Sequence, residues 1–222
     1  MTSKTLIAKS VNNLEALAFM GLNISWLEEI SLRILTAYNR ATPNDAIGAA
    51  GTYAYLEAIK ALRDVLISKG WSKLYRDYLE LTRNPDNGVN IIVSSGDKNT
   101  GIDSGIAPKT KNPKGVKTQK IVDQNSYQPF LWKEMEPEQP DESVSEPTWV
   151  LLYHLDKVNE EMRIELSLPT SIDLCDLKVD EWETRILLPS ISFNLELSKI
   201  KPDFAPEIEF GIKRKSNEQK GV

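Results

Sequence analysis

The spacing of apolar residues changes once along this chain, and that change constrains the fold more than any other feature. Before about residue 84, apolar side chains recur every three or four positions, as they do on a core-facing helix. After about residue 147 they alternate with polar side chains, as they do on a strand with one buried face. We therefore predict an α+β fold with an N-terminal helical bundle of about four helices and a C-terminal antiparallel β domain.

Three segments carry the helical pattern. In SWLEEISLRIL, Ser25 and Glu28 have the spacing of a capping box, which predicts a helix start. A second helix is expected after Pro43, with Gly70 as its left-handed C-terminal cap. The amphipathic segment SKLYRDYLELTR, which ends before Pro85, is predicted as the last helix of the bundle.

The second of these helices has a row of small residues along one side. Alanines recur at strict four-residue spacing and form a shallow ridge that another helix can approach closely. Packing inside the bundle is the favoured interpretation, and self-association into an oligomer through the helical domain is the alternative. The ridge residues are Ala46, Ala50, Ala54 and Ala58.

The strand pattern predicts five strands after the middle of the chain and one more before it. The five segments are TWVLLYHL, EMRIELSLP, WETRILLP, SFNLELS and EIEFGIK. Proline residues fall at the ends of these segments, where a missing N–H disturbs a sheet least. GVNIIVSSG is a sixth strand candidate, and the sequence leaves open whether it joins the helical or the β domain.

The middle of the chain separates charges of opposite sign. A basic, Gly- and Asn-rich block is followed by an acidic, Pro- and Ser-rich block that carries six net negative charges over residues 123–146. Neither has a useful hydrophobic period, so we predict a flexible linker there. The expected domains are a helical domain with a terminal strand candidate (1–93), this charge-segregated linker (94–146), the antiparallel β domain (147–213) and a charged tail (214–222).

Two features of the predicted linker are candidate binding sites. Five lysines without an acidic neighbour could contact a phosphate backbone weakly and without reading sequence, although keeping a tether solvated is the favoured interpretation. These are Lys109, Lys111, Lys114, Lys117 and Lys120. An aromatic patch further on is expected to dock on the chain itself or to anchor a partner protein. It consists of Tyr127, Phe130, Leu131 and Trp132.

The residue types needed for most catalytic chemistry are scarce. His154 is the only histidine and Cys175 the only cysteine, so a Cys/His metal cluster or a disulfide within the chain is excluded. The acidic run DLCDLKVDEWE lacks the ligand spacing of a calcium loop and is interpreted as a solvated hairpin loop. The loop SSGDKNTG could cradle phosphate but matches no nucleotide-binding pattern. We predict no catalytic, cofactor-binding or metal-binding residues.

The favoured function is that of a non-catalytic adaptor or accessory subunit. In this hypothesis the chain binds a partner protein in a larger cytoplasmic assembly through the aromatic patch and the helical domain. Sequence-independent nucleic-acid binding through the lysines is the alternative, and a carboxylate- and magnesium-dependent enzyme comes third. No apolar run reaches the length of a membrane span, so no membrane association is expected.

Overall fold

The structure, a computed structural model, describes residues 6–7, 10–126 and 146–193, with side chains from residue 13 onward. It contains four helices and one eight-stranded sheet whose strands pair mostly antiparallel, so the fold is mixed α+β. The helices are α1 (Ser10–Phe19), α2 (Ile24–Asn39), α3 (Ala49–Ile67) and α4 (Val116–Ser126). The strands are β1 (Leu6–Ile7), β2 (Ser72–Arg76), β3 (Leu79–Arg83), β4 (Asn90–Ser95), β5 (Thr148–Asp156), β6 (Glu161–Ile172), β7 (Val179–Leu187) and β8 (Ile191–Ser192).

The sheet joins the two halves of the sequence. Its strand order is β1-β7-β6-β5-β4-β3-β2, with β8 paired to β6. Strand β4 pairs antiparallel with β3 and parallel with β5, from Asn90 opposite Thr148 to Ser95 opposite Tyr153. The separate N-terminal helical and C-terminal β layout is therefore not confirmed, because the strand that the sequence left unassigned bonds to both halves.

Helices cover both faces of the sheet. The first three helices pack on the face that carries Leu151, Ile164 and Leu166, whereas α4 packs on the face that carries Val150 and Trp182. Alternate residues of β5 thus enter different cores, and the strand is buried from Thr148 to Tyr153. A strand with both faces covered reads as a continuous apolar run, which is the pattern of TWVLLY.

Two local predictions are corrected by the structure. The helix expected over SKLYRDYLELTR is the hairpin β2–β3, which turns at Asp77 and Tyr78, both with positive φ. Such a turn suits the right-handed twist of the two strands. The start of α2 is capped by Asn23 and not by Ser25, because the Asn23 side chain accepts a hydrogen bond from the Ser25 amide at 2.9 Å.

The first part of the predicted linker has a defined structure. Residues 94–126 contain the end of β4, a loop that returns along it, and helix α4. The loop is held by backbone hydrogen bonds, among them Lys111 N to Ser95 O at 2.9 Å and Thr110 N to Val179 O at 3.0 Å. Backbone pairing with neighbouring strands orders this polar stretch without any hydrophobic period.

Candidate anion-binding site

A cavity of about 760 Å³ opens at the carboxyl ends of β4 and β5. Because these neighbouring strands are parallel, their carboxyl ends meet at one edge of the sheet, with α3 on one face and α4 on the other. Crevices of this kind are the usual place for ligands in sheets with helices on both faces. The lining residues that matter here are Gly48, Gly51, Ser94, Lys111, Lys114 and His154.

Lys114 gives the cavity its most unusual electrostatic feature. Its Nζ donates a hydrogen bond to the Ser94 Oγ at 2.7 Å, and no described carboxylate forms an ion pair with it. Burial lowers the pKa of the Lys114 ammonium to about 8, because the charged form loses hydration. The side chain is positioned by its backbone N–H, which donates to Leu177 O. The result is a partly desolvated ammonium group on the cavity wall.

The start of α3 lies on the same cavity. Gly48 precedes the helix with φ of 87°, a left-handed conformation that favours glycine, and its position has no side-chain cap. Among the described residues, the amides of Ala50 and Gly51 have no backbone acceptor, as expected for a first helical turn. These amides and the helix dipole favour a negative charge at this end of the cavity.

Other charged groups on the lining leave it cationic. Lys111 and Lys157 are exposed there, and the Lys157 Nζ lies 5.8 Å from the centre of the Tyr38 ring. The only carboxylate on the lining, Asp97, accepts hydrogen bonds from the Asn99 amide and side chain. Asp97 thus stabilises its own turn instead of neutralising a lysine.

His154 and Gly96 complete the edge of the cavity. The His154 Nδ1 lies 3.2 Å from the Gly96 carbonyl oxygen, so this nitrogen carries the proton and donates, and Nε2 is left for another partner. A Cβ on Gly96 would lie 2.1 Å from Thr100 Oγ1 and 2.8 Å from Leu152 Cγ, so only glycine fits. The loop SSGDKNTG, considered above as a phosphate cradle, therefore contributes through Ser94 to Asp97.

The five lysines of the basic block do not form one surface. Lys111 and Lys114 line the cavity. Lys109 is surrounded by Asp173, Asp176 and Asp180 at 2.8, 3.4 and 3.6 Å, and Asp173, with a smaller contribution from Asp176, raises its pKa.

The other two lysines lie on α4, away from the cavity. The Lys117 Nζ pairs with Asp77 at 2.5 Å, and Lys120 is exposed beside it. The five lysines therefore lie in different surroundings and do not share one surface. The acidic run DLCDLKVDEWE supplies partners for Lys109, and no group of three metal-ligating side chains occurs in the described parts of the chain.

The alanine ridge packs mostly inward. Ala54 and Ala58 have no exposed surface and belong to the core between α3 and the sheet. Ala50 lines the cavity, and Ala46 lies exposed in the turn before α3. The two central alanines are thus packed within the chain. Tyr127, Phe130, Leu131 and Trp132 lie outside the described residues.

No protein-family model, curated protein or solved structure matches the chain. Within residues 6–7, 10–126 and 146–193, no helix combines the length and apolar character needed to cross a membrane. The cavity described above is therefore the strongest available guide to function.

Sequence reasoning missed the convergence of two distant segments on this cavity. It considered the loop after β4 and found no following helix whose N-terminus could assist it. The helix whose N-terminus lines the cavity is α3, which precedes β4 in the sequence. The glycines of AIGAAGTY at its start were a signal that could have indicated the site.

Proposed function

We propose that this protein binds a phosphorylated small molecule in the cavity at the carboxyl ends of β4 and β5. The observation that carries the proposal is Lys114, a partly desolvated ammonium with no carboxylate partner among the described residues. Burying a cation is costly unless an anion accompanies it. A bound anion would supply that partner and would restore the pKa of Lys114 towards its ordinary range.

The donors around the cavity favour phosphate over a carboxylate. Three kinds of donor line it: the Lys114 ammonium, the amides of the α3 start and the Ser95 hydroxyl, whereas the Ser94 hydroxyl already donates to Ser95 O. They approach from both faces of the sheet, and a tetrahedral anion presents oxygens in several directions. A planar carboxylate offers only two oxygens and meets fewer of these donors.

The volume of the cavity indicates more than an isolated ion. A cavity of about 760 Å³ lies within the usual range for small-molecule sites, roughly 300–1,000 Å³. Its remaining wall includes Tyr38, Tyr55 and Leu155, which can contact an organic group attached to the phosphate. Binding of such a molecule is compatible with the non-catalytic role that the sequence favoured.

The proposal is tested by calorimetric titration of the full chain with pyrophosphate and with glycerol 3-phosphate. Lys114→Met should weaken binding at least about tenfold, since charge-assisted hydrogen bonds contribute roughly 1.5–3 kcal/mol. The matched control is Lys73→Met, which removes an exposed lysine of β2 outside the cavity and should leave binding unchanged. Absence of binding to the unmodified chain, or equal affinities for the two variants, would contradict the proposal.

The sequence by itself supports two other hypotheses. The accessory-subunit hypothesis depends on Tyr127, Phe130, Leu131 and Trp132, outside the described residues, and it stays a prediction. The nucleic-acid hypothesis also stays a prediction, but the dispersal of the five lysines does not favour it. Two of those lysines, Lys109 and Lys117, are occupied by carboxylates of the same chain.

A further inference from the structure

A second concave surface lies on the α4 face of the sheet and shares no lining residue with the anion cavity. It is a groove of about 540 Å³ between α4 and the hairpin β2–β3. Its floor is apolar and consists of Leu74, Leu79, Leu81 and Ile121. The groove therefore offers partly exposed apolar surface beside polar walls, a combination that suits a segment of polypeptide.

The walls of the groove carry two cations that form no ion pair with another described residue. Arg83 pairs with Glu146, and Lys117 pairs with Asp77. Arg76 and Lys120 also line the groove, and in the part of the chain that the structure describes neither forms an ion pair. The groove is thus apolar at its floor and has uncompensated positive charge at its rim.

The chain leaves and re-enters the described structure at one end of this groove. Helix α4 ends at Ser126, and the next described residue, Glu146, lines the groove. The buried side chain of Asn125 holds these two points together: its Nδ2 donates to Thr148 O at 2.9 Å, and its Oδ1 accepts from Thr148 N at 3.0 Å. The described residues that flank 127–145 therefore lie beside each other at this end of the groove.

The composition of residues 127–145 complements the groove. The first part of the segment contains Tyr127, Phe130, Leu131 and Trp132. The second part contains the carboxylates Glu134, Glu136, Glu138, Asp141 and Glu142, against a single basic residue, Lys133. Apolar and aromatic side chains match the floor, and carboxylates match the cationic rim.

We infer that residues 127–145 bind back into this groove, with their aromatic side chains on the apolar floor and their carboxylates near Arg76 and Lys120. A segment of this length that doubles back reaches roughly 30 Å, enough to span the groove. Because the described residues on both sides of the segment, Gln124 and Glu146, line the groove, binding is intramolecular, and the effective concentration is on the order of millimolar. Even weak contacts then keep the segment bound.

Trypsin provides a direct test, because Lys133 is the only tryptic site between residues 127 and 145. The measurement is the rate of cleavage at Lys133 in the full chain, followed by the masses of the two products. Arg76→Glu with Lys120→Glu should raise this rate about fivefold, since exposed ion pairs contribute roughly 0.2–1 kcal/mol each. The sequence around Lys133 is unchanged, so its intrinsic susceptibility is unchanged too.

The matched control is Lys73→Glu with Lys98→Glu, which reverses two exposed charges outside the groove. This variant should be cleaved at Lys133 as slowly as the unmodified chain. Phe130→Ala with Trp132→Ala should accelerate cleavage without touching the groove. Equal rates in all four proteins would overturn the inference.

Two other occupants would give different results. If the groove binds nucleic acid, a labelled DNA duplex should bind the unmodified chain, and Arg76→Glu with Lys120→Glu should abolish binding while leaving Lys133 cleavage unchanged. If a second copy of the chain supplies the segment, protection of Lys133 should increase with protein concentration. Either result would overturn intramolecular binding.

Discussion

Glu165 and Arg185 form the most deeply buried ion pair among the described residues. The Arg185 Nη2 lies 2.6 Å from Glu165 Oε2, and their side chains are 2% and 0% exposed. The carboxylate also accepts hydrogen bonds from Gly101 N and Ser167 Oγ, while Arg185 donates to Ile102 O. The pair therefore fastens the loop after β4 to strands β6 and β7.

Removing one member of this ion pair should lower the free energy of unfolding substantially. Arg185→Met leaves the Glu165 charge buried without its main partner, and we expect a loss of about 3–5 kcal/mol in the free energy of unfolding. The measurement is urea denaturation followed by circular dichroism. The double variant Glu165→Gln with Arg185→Met removes both charges and should recover part of this loss. If the single and double variants have equal stability, the buried charge is not the source of the cost.

Lys114 makes a prediction about pH. In the folded chain its pKa is about 8, against an ordinary value of 10.5, so between these values the unfolded chain binds more protons than the folded one. The free energy of unfolding should therefore rise as the pH increases from about 8 to 10.5. Below this window Lys114 is charged in both states, and the full cost of burying its charge destabilises the folded chain.

The comparison of the unmodified chain with Lys114→Met isolates this effect. The difference in their free energies of unfolding should shift in favour of the unmodified chain between about pH 8 and about pH 10.5. The other charged or titratable groups on the lining, Asp97, His154, Lys111 and Lys157, are present in both proteins. Parallel pH profiles would show that Lys114 is not desolvated. Pyrophosphate binding should weaken over the same interval as the ammonium is lost.

At the scale of elements, α4 is fixed to the sheet by a few polar contacts as well as by Val122. Its sequence, VKTQKIVDQNS, has little apolar character. Asn125, at its end, is buried and makes hydrogen bonds with Thr148 and with Pro169 O. Thr148 is the first residue of β5, and this side chain replaces backbone pairing on the β6 side, where the ladder begins only at Val150 opposite Ser167.

Asn125→Ala should destabilise the protein by about 2–4 kcal/mol, because it leaves buried backbone groups of Thr148 and Pro169 without these partners. Gln124→Ala, an exposed neighbour on the same helix, is the control and should change the free energy of unfolding by less than about 0.5 kcal/mol. Thermal unfolding followed by circular dichroism measures both. A small effect at Asn125 would mean that water can satisfy these groups.

At the scale of the whole molecule, the sheet and the helices share one continuous core. The larger cluster of buried residues includes Leu27 and Leu62 from the helices together with Leu151, Ile164 and Ile186 from the strands. Helices in the first half and strands in the second half thus bury the same surface. We expect them to unfold together.

Leu151→Ala tests this cooperativity. Leu151 is fully buried in the second half of the chain, and its truncation should cost about 2–5 kcal/mol. The helical circular dichroism signal comes mostly from α1, α2 and α3. Its unfolding midpoint should fall by the same amount as the midpoint followed by tryptophan fluorescence. Val158→Ala, at an exposed position, is the control. Helices that unfold at an unchanged midpoint would support two independent domains instead.

Local apolar pattern was sufficient to predict α2, most of α3 and the strands β4 to β7, because each has either a regular apolar stripe or face or, as in β4 and β5, a continuous apolar run. It was not sufficient for residues 72–83. Leu74, Leu79 and Leu81 are compatible with either period, and pairing of Thr82 with Ile91 of β4 decides for the strand. The polar residues 94–115 also showed no pattern, because backbone hydrogen bonds to other strands order them.

By itself, the sequence determined the α+β class, the helix and strand segments with strong periods, and the charge segregation of the middle. Only the tertiary structure decided that these elements share one sheet, and that Gly48 and Lys114 line one cavity. The physical reason is the sequence separation over which each signal acts. Periodicity depends on a few neighbouring residues and shows only which side of an element is buried. Which distant backbone and side chains meet depends on strand pairing, and the parallel register of β4 and β5 brought these two together.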